Sequence, residues 1–246
     1  MYQFFVEPSQ IQGNRIVIAG GDFNHIRNVL RMKAGEEIAV SNGVDGREYR
    51  CGIESFSEKE VICSLRFIKE EGVELPSRIY LFQGLPKSDK MELIVQKAVE
   101  LGACEIIPVA TGRAVVRLDE KKAKAKTARW QGIAEAAAKQ SRRSIIPAIT
   151  EVMSMQEAIA YAGKADVRLI PYELAENMAK TKEIIGGIRP GESVAVFIGP
   201  EGGFEEKEVA AAMDGGCIPI TLGKRILRTE TAGFTVLSWL MYHLEE

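Results

Sequence analysis

The stretch that decides the fold of the second half of this chain is Ser193-Val194-Ala195-Val196-Phe197-Ile198-Gly199-Pro200-Glu201-Gly202-Gly203-Phe204. Its first half is an almost entirely apolar run, which is typical of a strand buried on both faces of a parallel sheet. Glycines follow at once. In open α/β sheets, ligands bind beyond the carboxyl ends of strands, where glycine lets the backbone approach them closely. The segment therefore predicts either a small-ligand site or a tight turn between a strand and a helix.

A second segment repeats this pattern near the end of the chain. The run 217–222 leads into Gly223-Lys224-Arg225-Ile226-Leu227-Arg228-Thr229-Glu230-Thr231-Ala232, and a helical pattern follows. Arg228 suits an anionic group or a base edge, and Glu230 suits a partner that orients it. A solvated turn capped by Thr229 explains the same residues.

The first segment, 199–204, is not Gly-x-Gly-x-x-Gly and lacks Gly-Lys-Ser/Thr, which disfavours dinucleotide and nucleoside triphosphate sites.

Apolar runs and helical patterns alternate through the second part of the chain, which predicts a parallel sheet in an α/β domain. The runs are 78–83, 104–109, 166–170, 193–198 and 217–222. One helix is predicted from a capping box at Asp89 and Glu92 to Gly102. Two others are predicted over 119–140 and 231–244.

Residues 1–70 show short alternating strands separated by glycine- and asparagine-containing turns, which predicts a β-rich module. Its strands are expected at 4–6, 15–18, 37–40, 48–53 and 61–66. One helix is expected, capped by Asp22 and running to Met32, with Arg27 and Arg31 on one face. A charged linker at 69–76 places the predicted domains at 1–72 and 73–246.

Composition predicts an ordinary soluble protein. The 246 residues are 46% hydrophobic and 27% charged, and the net charge of −2 indicates that any nucleic-acid contact is local. A signal peptide and an apolar run of about 18 residues are both missing, so we expect a cytoplasmic protein that is not bound to a membrane. The four cysteines and two histidines lack metal-ligand spacing, so we expect reduced buried thiols and no metal.

Positive charge is concentrated in residues 113–143, which carry ten basic and three acidic side chains. Such a run is either a solvated helix face or a contact for a phosphate backbone.

Several motifs occur together in the order found in one family. They are Asn24-His25-Ile26-Arg27-Asn28-Val29-Leu30-Arg31, Leu85-Pro86-Lys87-Ser88-Asp89-Lys90-Met91-Glu92, Gln96-Lys97-Ala98-Val99-Glu100-Leu101-Gly102, Arg129-Trp130, Gln140-Ser141-Arg142-Arg143 and the two C-terminal segments. Over essentially its whole length the chain resembles the ribosomal RNA small subunit methyltransferase E family of the SPOUT class, which methylates N3 of a uridine in 16S ribosomal RNA. The resemblance implies an N-terminal PUA-like, RNA-binding β-barrel and a C-terminal SPOUT α/β domain with a parallel sheet and a trefoil knot. It also implies S-adenosylmethionine (S-adenosyl-L-methionine) as the methyl donor and a homodimer.

The resemblance, together with the chemistry that methyl transfer needs, assigns roles to residues of this sequence. Arg228 and Glu230 are expected to be catalytic, with Arg228 stabilising charge on the base carbonyls and Glu230 orienting it or acting as the base. The methyl donor is expected to contact Ile170, Pro171, Glu173, Gly199, Pro200, Glu201, Gly202, Gly203, Leu222, Gly223, Ile226, Leu227, Arg228, Thr231 and Ala232. RNA is expected to contact His25, Arg27, Arg31, Lys87, Lys90, Arg113, Arg117, Arg129 and Arg143. Glu205 departs from the serine or threonine common in the family, which leaves the cap of the following helix open.

Three other functions stay open at this point. The first is that of a related SPOUT enzyme that acts on another ribosomal RNA nucleotide or on transfer RNA. The second is that of a non-catalytic RNA-binding protein of ribosome assembly, which needs only the β-rich module and the basic segment. A small-molecule methyltransferase is the third, and those same two features argue against it.

Overall fold

The computed structural model describes residues 1–70, 72–172 and 177–245, and the chain divides into two compact units. The first comprises Met1–Glu74 and Ala138–Ile146, and the second comprises Leu75–Ala137 and Pro147–Glu246. Within the described ranges, no helix has both the length and the apolar character that crossing a bilayer requires.

A six-stranded sheet forms the first unit. Its strands are β1 (Gln3–Phe5), β2 (Ile11–Gln12), β3 (Arg15–Ala19), β4 (Glu37–Ser41), β5 (Glu48–Phe56) and β6 (Glu60–Lys69), in the order β1-β4-β5-β6-β3-β2. Strand β1 pairs with β4 in parallel, and the other neighbours are antiparallel. Side chains from β1, β3, β4, β5 and β6 share one apolar core, so the sheet curls around it. The five predicted strands are confirmed, whereas β2 is too short to show an alternating pattern.

The helix of the first unit begins earlier than the sequence predicted. Helix α1 (Gly21–Asn24) follows Gly20, which is the N-cap at φ 68°, and continues as a π-helical turn at His25–Val29. The prediction that Asp22 caps the helix is wrong, because this residue lies within the first turn. Its carboxylate instead accepts a hydrogen bond from Lys139 Nζ at 3.1 Å.

Arg27 and Arg31 do not share a helical face, which corrects a second prediction. Arg31 lies beyond the π-helical turn with φ 54°, so the helical spacing does not reach it. The Arg27 guanidinium donates to the Ser57 carbonyl at 2.9 Å and lies 5.6 Å from the centre of the Phe23 ring. Both arginines are exposed.

A buried ion pair holds residues 138–146 in the first unit. Arg143 is only 4% exposed, and its Nη2 and Nε donate to the Glu74 carboxylate at 2.6 and 3.0 Å. That carboxylate also accepts from the backbone N–H groups of Ser144 and Ile145 at 3.0 and 3.1 Å. The prediction that Arg143 contacts RNA does not fit this placement, because its guanidinium is buried against Glu74.

The second unit contains the predicted parallel sheet. Its strands are β7 (Ile79–Gly84), β8 (Ala103–Ala110), β9 (Ala148–Ile149), β10 (Met153–Ser154), β11 (Val167–Pro171), β12 (Val194–Ile198) and β13 (Ile218–Ile220). The order is β10-β8-β7-β12-β11-β13, with β9 beside β8, and every pairing is parallel. Strand β12 is buried along its whole length, and Phe197 stacks on Phe82 of β7 with ring centres 4.4 Å apart. The first C-terminal segment therefore does start from a central strand.

Six helices accompany this sheet in the described part of the chain: α2 (Lys90–Glu100), α3 (Glu120–Gln140), α4 (Met155–Ala162), α5 (Met178–Gly186), α6 (Glu206–Asp214) and α7 (Thr229–Leu244). The three predicted helices are present as α2, α3 and α7. The capping box at Asp89 and Glu92 is wrong, because the Asp89 side chain makes no capping hydrogen bond. The Glu92 carboxylate instead pairs with Arg129 Nη2 at 2.7 Å.

Candidate active site

A cavity of about 1040 Å³ lies at the carboxyl ends of β11, β12 and β13. Its walls are the stretches 171–172, 198–204 and 221–229, with Lys90, Arg113, Met178 and Ala232 completing the lining. The two segments singled out in the sequence therefore line one cavity, because parallel strands deliver their following loops to the same edge of the sheet. The cavity lies at the large end of the range for small-molecule sites.

The loop after β12 is a tight turn that depends on glycine at both ends. Gly203 has φ 66°, and its N–H donates to the Pro200 carbonyl at 2.9 Å. A Cβ on Gly199 would lie 3.0 Å from the Gly203 Cα. This close packing explains why the backbone itself forms this wall of the cavity.

The same loop packs directly on the end of β7. A Cβ on Gly84 would lie 2.6 Å from Pro200 Cδ and 2.8 Å from Pro200 N, which leaves no room for any side chain. The sequence analysis did not select Gly84. The sequence did contain an indication of its role, because a glycine at the end of an apolar strand is typical of a place where another backbone segment approaches closely.

Replacing Gly84 with alanine is expected to weaken binding of S-adenosylmethionine, the methyl donor that the resemblance implies, by about 10- to 100-fold. Overpacking costs about 1–3 kcal/mol, and here the added methyl group meets backbone that can yield only by moving the loop. Isothermal titration calorimetry measures the change. The matched control is Gly132→Ala in α3, where a Cβ meets no atom within 4 Å and affinity should be unchanged. Equal affinities of the two variants would contradict the packing argument.

Thr229 joins the two loops. It is 4% exposed, its Oγ1 donates to the Gly199 carbonyl at 2.6 Å, and the same oxygen accepts from Gln83 Nε2 at 2.9 Å. The alternative of a solvated cap is therefore wrong for Thr229. It is the first residue of α7, and Arg228 is the N-cap.

Lys90 lies between two carboxylates at the wall of the cavity. Its Nζ is 3.0 Å from Glu201 Oε1 and 3.5 Å from Glu230 Oε2. Glu201 also accepts from the Lys87 backbone N–H at 3.1 Å. Burial raises the pKa of the Glu201 carboxyl group, but its hydrogen bonds with Lys90 and with backbone N–H groups outweigh burial and hold that pKa below its usual value. The bond to Glu201 in turn raises the pKa of Lys90, so the side chain is an ammonium.

Most of the residues expected to contact the donor line the cavity, namely Pro171, Gly199, Pro200, Glu201, Gly202, Gly203, Leu222, Gly223, Ile226, Leu227, Arg228 and Ala232. Ile170 is fully buried behind this wall and Thr231 is exposed outside the lining, while Glu173 lies outside the described residues. The exposed Arg228 guanidinium makes no ion pair within the described ranges. Glu230 is not among the lining residues, and its Oε2 lies 3.5 Å from the Nζ of the lining residue Lys90.

The residues expected to contact RNA are dispersed. Lys90 and Arg113 line the cavity, and Arg113 Nη1 donates to the Gly202 carbonyl at 3.1 Å. Lys87 and Arg117 are exposed on the second unit, and Arg129 is exposed beside Glu92. His25, Arg27 and Arg31 are exposed on the first unit.

Eight lining residues are outside the expected donor and RNA contacts: Tyr172, Met178, Ile198, Phe204, Thr221, Lys224, Arg225 and Thr229. All except Tyr172 and Met178 lie within or directly beside the two segments, so their position in the sequence was a usable signal, and Tyr172 directly follows the expected contact Pro171. Met178 begins α5, and its Cε would lie 3.6 Å from a Cβ on Gly223, a contact that no local pattern indicates.

The helix cap left open by Glu205 is supplied by Glu208. This carboxylate is 7% exposed and accepts from the N–H groups of Glu205 and Gly112 at 2.8 and 2.7 Å. The side chain of Glu205 is free to pair with Lys207 at 2.7 Å. The departure from serine or threonine therefore leaves the start of α6 intact.

Comparison with known proteins defines the class first. Residues 73–241 match the model of an RNA methyltransferase domain, and residues 18–66 match that of an RNA methyltransferase PUA domain. The chain is 38% identical to ribosomal RNA small subunit methyltransferase E of Bacillus subtilis, over 100% of this chain and 98% of that protein. On this basis, the chain belongs to the ribosomal RNA small subunit methyltransferase E family.

Two solved structures of similar proteins contain the methyl donor. One is a ribosomal RNA small subunit methyltransferase E from Neisseria gonorrhoeae bound to S-adenosyl methionine, 29% identical with a TM-score of 0.85 over 98% of this chain and 97% of that one. The other is a methyltransferase from Legionella pneumophila in complex with the cofactor SAM, 31% identical with a TM-score of 0.83 over 98% and 96%.

Proposed function

We propose that this protein transfers the methyl group of S-adenosylmethionine to N3 of one uridine in 16S ribosomal RNA, in the small subunit. The observation that carries the proposal is the cavity formed by the two C-terminal loops in a chain of this family. The donor-bound relatives support the choice of cofactor.

The residues of the cavity fit the donor. Residues 199–203 form one wall of the cavity, and their glycines let the backbone itself approach an adenosine or amino-acid group without an intervening side chain. Apolar side chains at Pro171, Leu222, Ile226 and Leu227 suit the adenine ring. S-adenosylmethionine supplies an electrophilic methyl group on its sulfonium sulfur. The protein's part is to hold uridine N3 in line with that group.

Uridine N3 carries a proton and is a weak nucleophile until the proton leaves. A cation beside the base carbonyls stabilises the anion that results, and Arg228 is suited to this because its guanidinium is at the cavity and lacks a carboxylate partner in the described structure. Exposed polar and basic side chains on each unit, among them His25, Arg27, Arg31, Arg113 and Arg117, are proposed to hold the RNA backbone.

We infer three further properties of this enzyme. A homodimer is proposed on the family resemblance, and exposed apolar side chains such as Leu93 and Tyr242, at 43% and 87% exposure, are available to an interface. A cytoplasmic location follows from the RNA substrate. The functional domains are proposed at 1–72 and 73–246, with residues 138–146 of the second domain packed in the first compact unit.

The trefoil knot is proposed from the path of the last loop. The stretch 221–228 starts at β13, on the edge of the sheet, and ends where Thr229 bonds to Gly199 beyond β12. It therefore passes over the end of β11, which lies between them. Such a crossing is needed for a knot, a rare exception to ordinary chain topology.

Mass spectrometry of ribosomal RNA from cells with and without this protein tests the proposed function. The expected result is loss of one N3-methyluridine from 16S ribosomal RNA, restored by re-expression. Loss of a methyl group from another ribosomal or transfer RNA nucleotide would assign a different target. Unchanged RNA, together with no heat of S-adenosylmethionine binding in calorimetry, would favour a non-catalytic RNA-binding protein.

A further inference from the structure

Lys90 is one of the charged residues that line the cavity, and two carboxylates hold its ammonium in place. Glu201 approaches from the loop after β12 and Glu230 approaches from the first turn of α7. The side chains of Lys90, Glu201 and Glu230 are 30%, 27% and 15% exposed. An ammonium held from two sides loses much of the freedom that a surface lysine has.

Glu230 is poorly placed to act as a base on a ligand in this cavity. It is outside the lining, and its Oε2 is buried without a hydrogen-bond partner in the described structure. Its charged neighbour is Lys90 at 3.5 Å. A buried carboxylate oxygen of this kind is most simply explained as a group that orients the cation in front of it.

The remaining cations of the lining are placed differently. Arg113 is committed to the Gly202 carbonyl at 3.1 Å, whereas Lys224, Arg225 and Arg228 are exposed on one loop. Lys90 alone among these five is held by carboxylates from two separate elements. A preorganised cation is the more effective one at a site where negative charge develops.

We propose that Lys90 is a catalytic residue whose ammonium, oriented by Glu201 and by Glu230 as a positioning residue, contacts one carbonyl oxygen of the target uracil. This role rests on the proposed function. It gives the two carbonyl oxygens that flank N3 one cation each, Lys90 and Arg228.

The step that Lys90 assists is loss of the N3 proton. The N3–H bond breaks, its electron pair stays on the base, and the proton passes to solvent water. The resulting negative charge spreads over N3 and both carbonyl oxygens, where the ammonium stabilises it without giving up its own proton. N3 then forms its bond to the methyl carbon as the sulfur–carbon bond breaks, and that electron pair remains on sulfur.

The role predicts a particular pH dependence. The charged groups within ion-pair distance of the Lys90 ammonium are Glu201 and Glu230. The other cations that line the same cavity are Arg113, Lys224, Arg225 and Arg228. Because its carboxylate partners raise the pKa of Lys90, the ammonium persists throughout the range in which uridine N3 titrates. The rate enhancement that the Lys90 ammonium gives is greatest at low pH. It shrinks as the pH rises, because the target uracil then loses its N3 proton without help from the protein.

The test compares Lys90→Met, Lys90→Arg and the control Lys97→Met in single-turnover methyl transfer across pH. Lys97 is on the same helix and pairs with Glu100 at 2.7 Å, away from the cavity lining. We expect Lys90→Met to be about 100-fold slower at neutral pH, with the deficit closing as pH rises. Lys90→Arg should recover most of the rate, and Lys97→Met should match the wild type.

A measurement without the donor separates chemistry from structure. A short RNA with one ¹⁵N-labelled target uridine is bound to each variant, and the N3 titration is followed by NMR. The N3 pKa should be about 1 unit lower on the wild-type protein than on Lys90→Met. An equal N3 pKa, or a rate deficit independent of pH, would overturn the role of Lys90. A wild-type protein that methylates no uridine N3 would overturn the proposed function itself.

Discussion

The Arg228→Ala variant is expected to transfer methyl groups about 100- to 1000-fold more slowly than the wild type at saturating donor. Removing one donor that stabilises developing negative charge has an effect of this size in other enzymes. Arg228 makes no ion pair within the described ranges and its backbone caps α7, so the substitution removes charge without breaking a salt bridge.

Single-turnover kinetics and calorimetry together check this prediction. S-adenosylmethionine affinity should change less than the rate does, because the guanidinium is proposed to act on the base. Arg189→Ala is the control, since Arg189 is an exposed arginine of the same unit outside the cavity lining. Full methylation by Arg228→Ala with unchanged donor binding would refute the catalytic assignment.

The Glu74→Gln variant is expected to lower the free energy of unfolding of the first unit by about 3 kcal/mol. Removing one partner of a buried ion pair typically costs about 3–5 kcal/mol, and the substitution removes the carboxylate charge that faces an Arg143 side chain only 5% exposed. The same change weakens the two hydrogen bonds that the side chain of residue 74 accepts from the backbone N–H groups of Ser144 and Ile145. Hydrogen exchange of the β4, β5 and β6 amides reports the loss within this unit.

The matched control for Glu74 is Glu70→Gln. Glu70 pairs with Arg47 at 3.2 Å, but their side chains are 67% and 48% exposed, and such surface pairs contribute less than about 1 kcal/mol. Similar exchange in both variants would show that burial of the Glu74 pair does not matter to stability.

The sequence was sufficient to predict those strands and helices whose hydrophobic pattern repeats over several residues. The five longer parallel strands, the five longer strands of the first unit and the positions of α2, α3 and α7 were predicted. The convergence of 199–203 and 222–232 was also predictable, because parallel strands place their following loops at one edge.

What the sequence did not reveal depends on contacts between distant residues. Asp22 and Glu92 looked like helix caps, but each carboxylate pairs with a basic side chain of α3, Lys139 and Arg129. Arg143 looked like part of a basic surface until Glu74, 69 residues away, was found beside it. Glu230 was expected to orient Arg228 or to act as the base, whereas its ion pair is with Lys90. Local spacing carries no information about such partners.

The pairing of β7 with β12 has a consequence for synthesis of the protein. Ile79 pairs with Val194, so the centre of the second sheet joins parts of the chain made far apart in time, and such non-local pairings form slowly. The first unit is complete once residue 146 has been translated, whereas the cavity needs residues up to Ala232. A nascent chain therefore has its PUA-containing unit before it has a donor cavity, and translation that stops between these points yields a chain without methyltransferase activity.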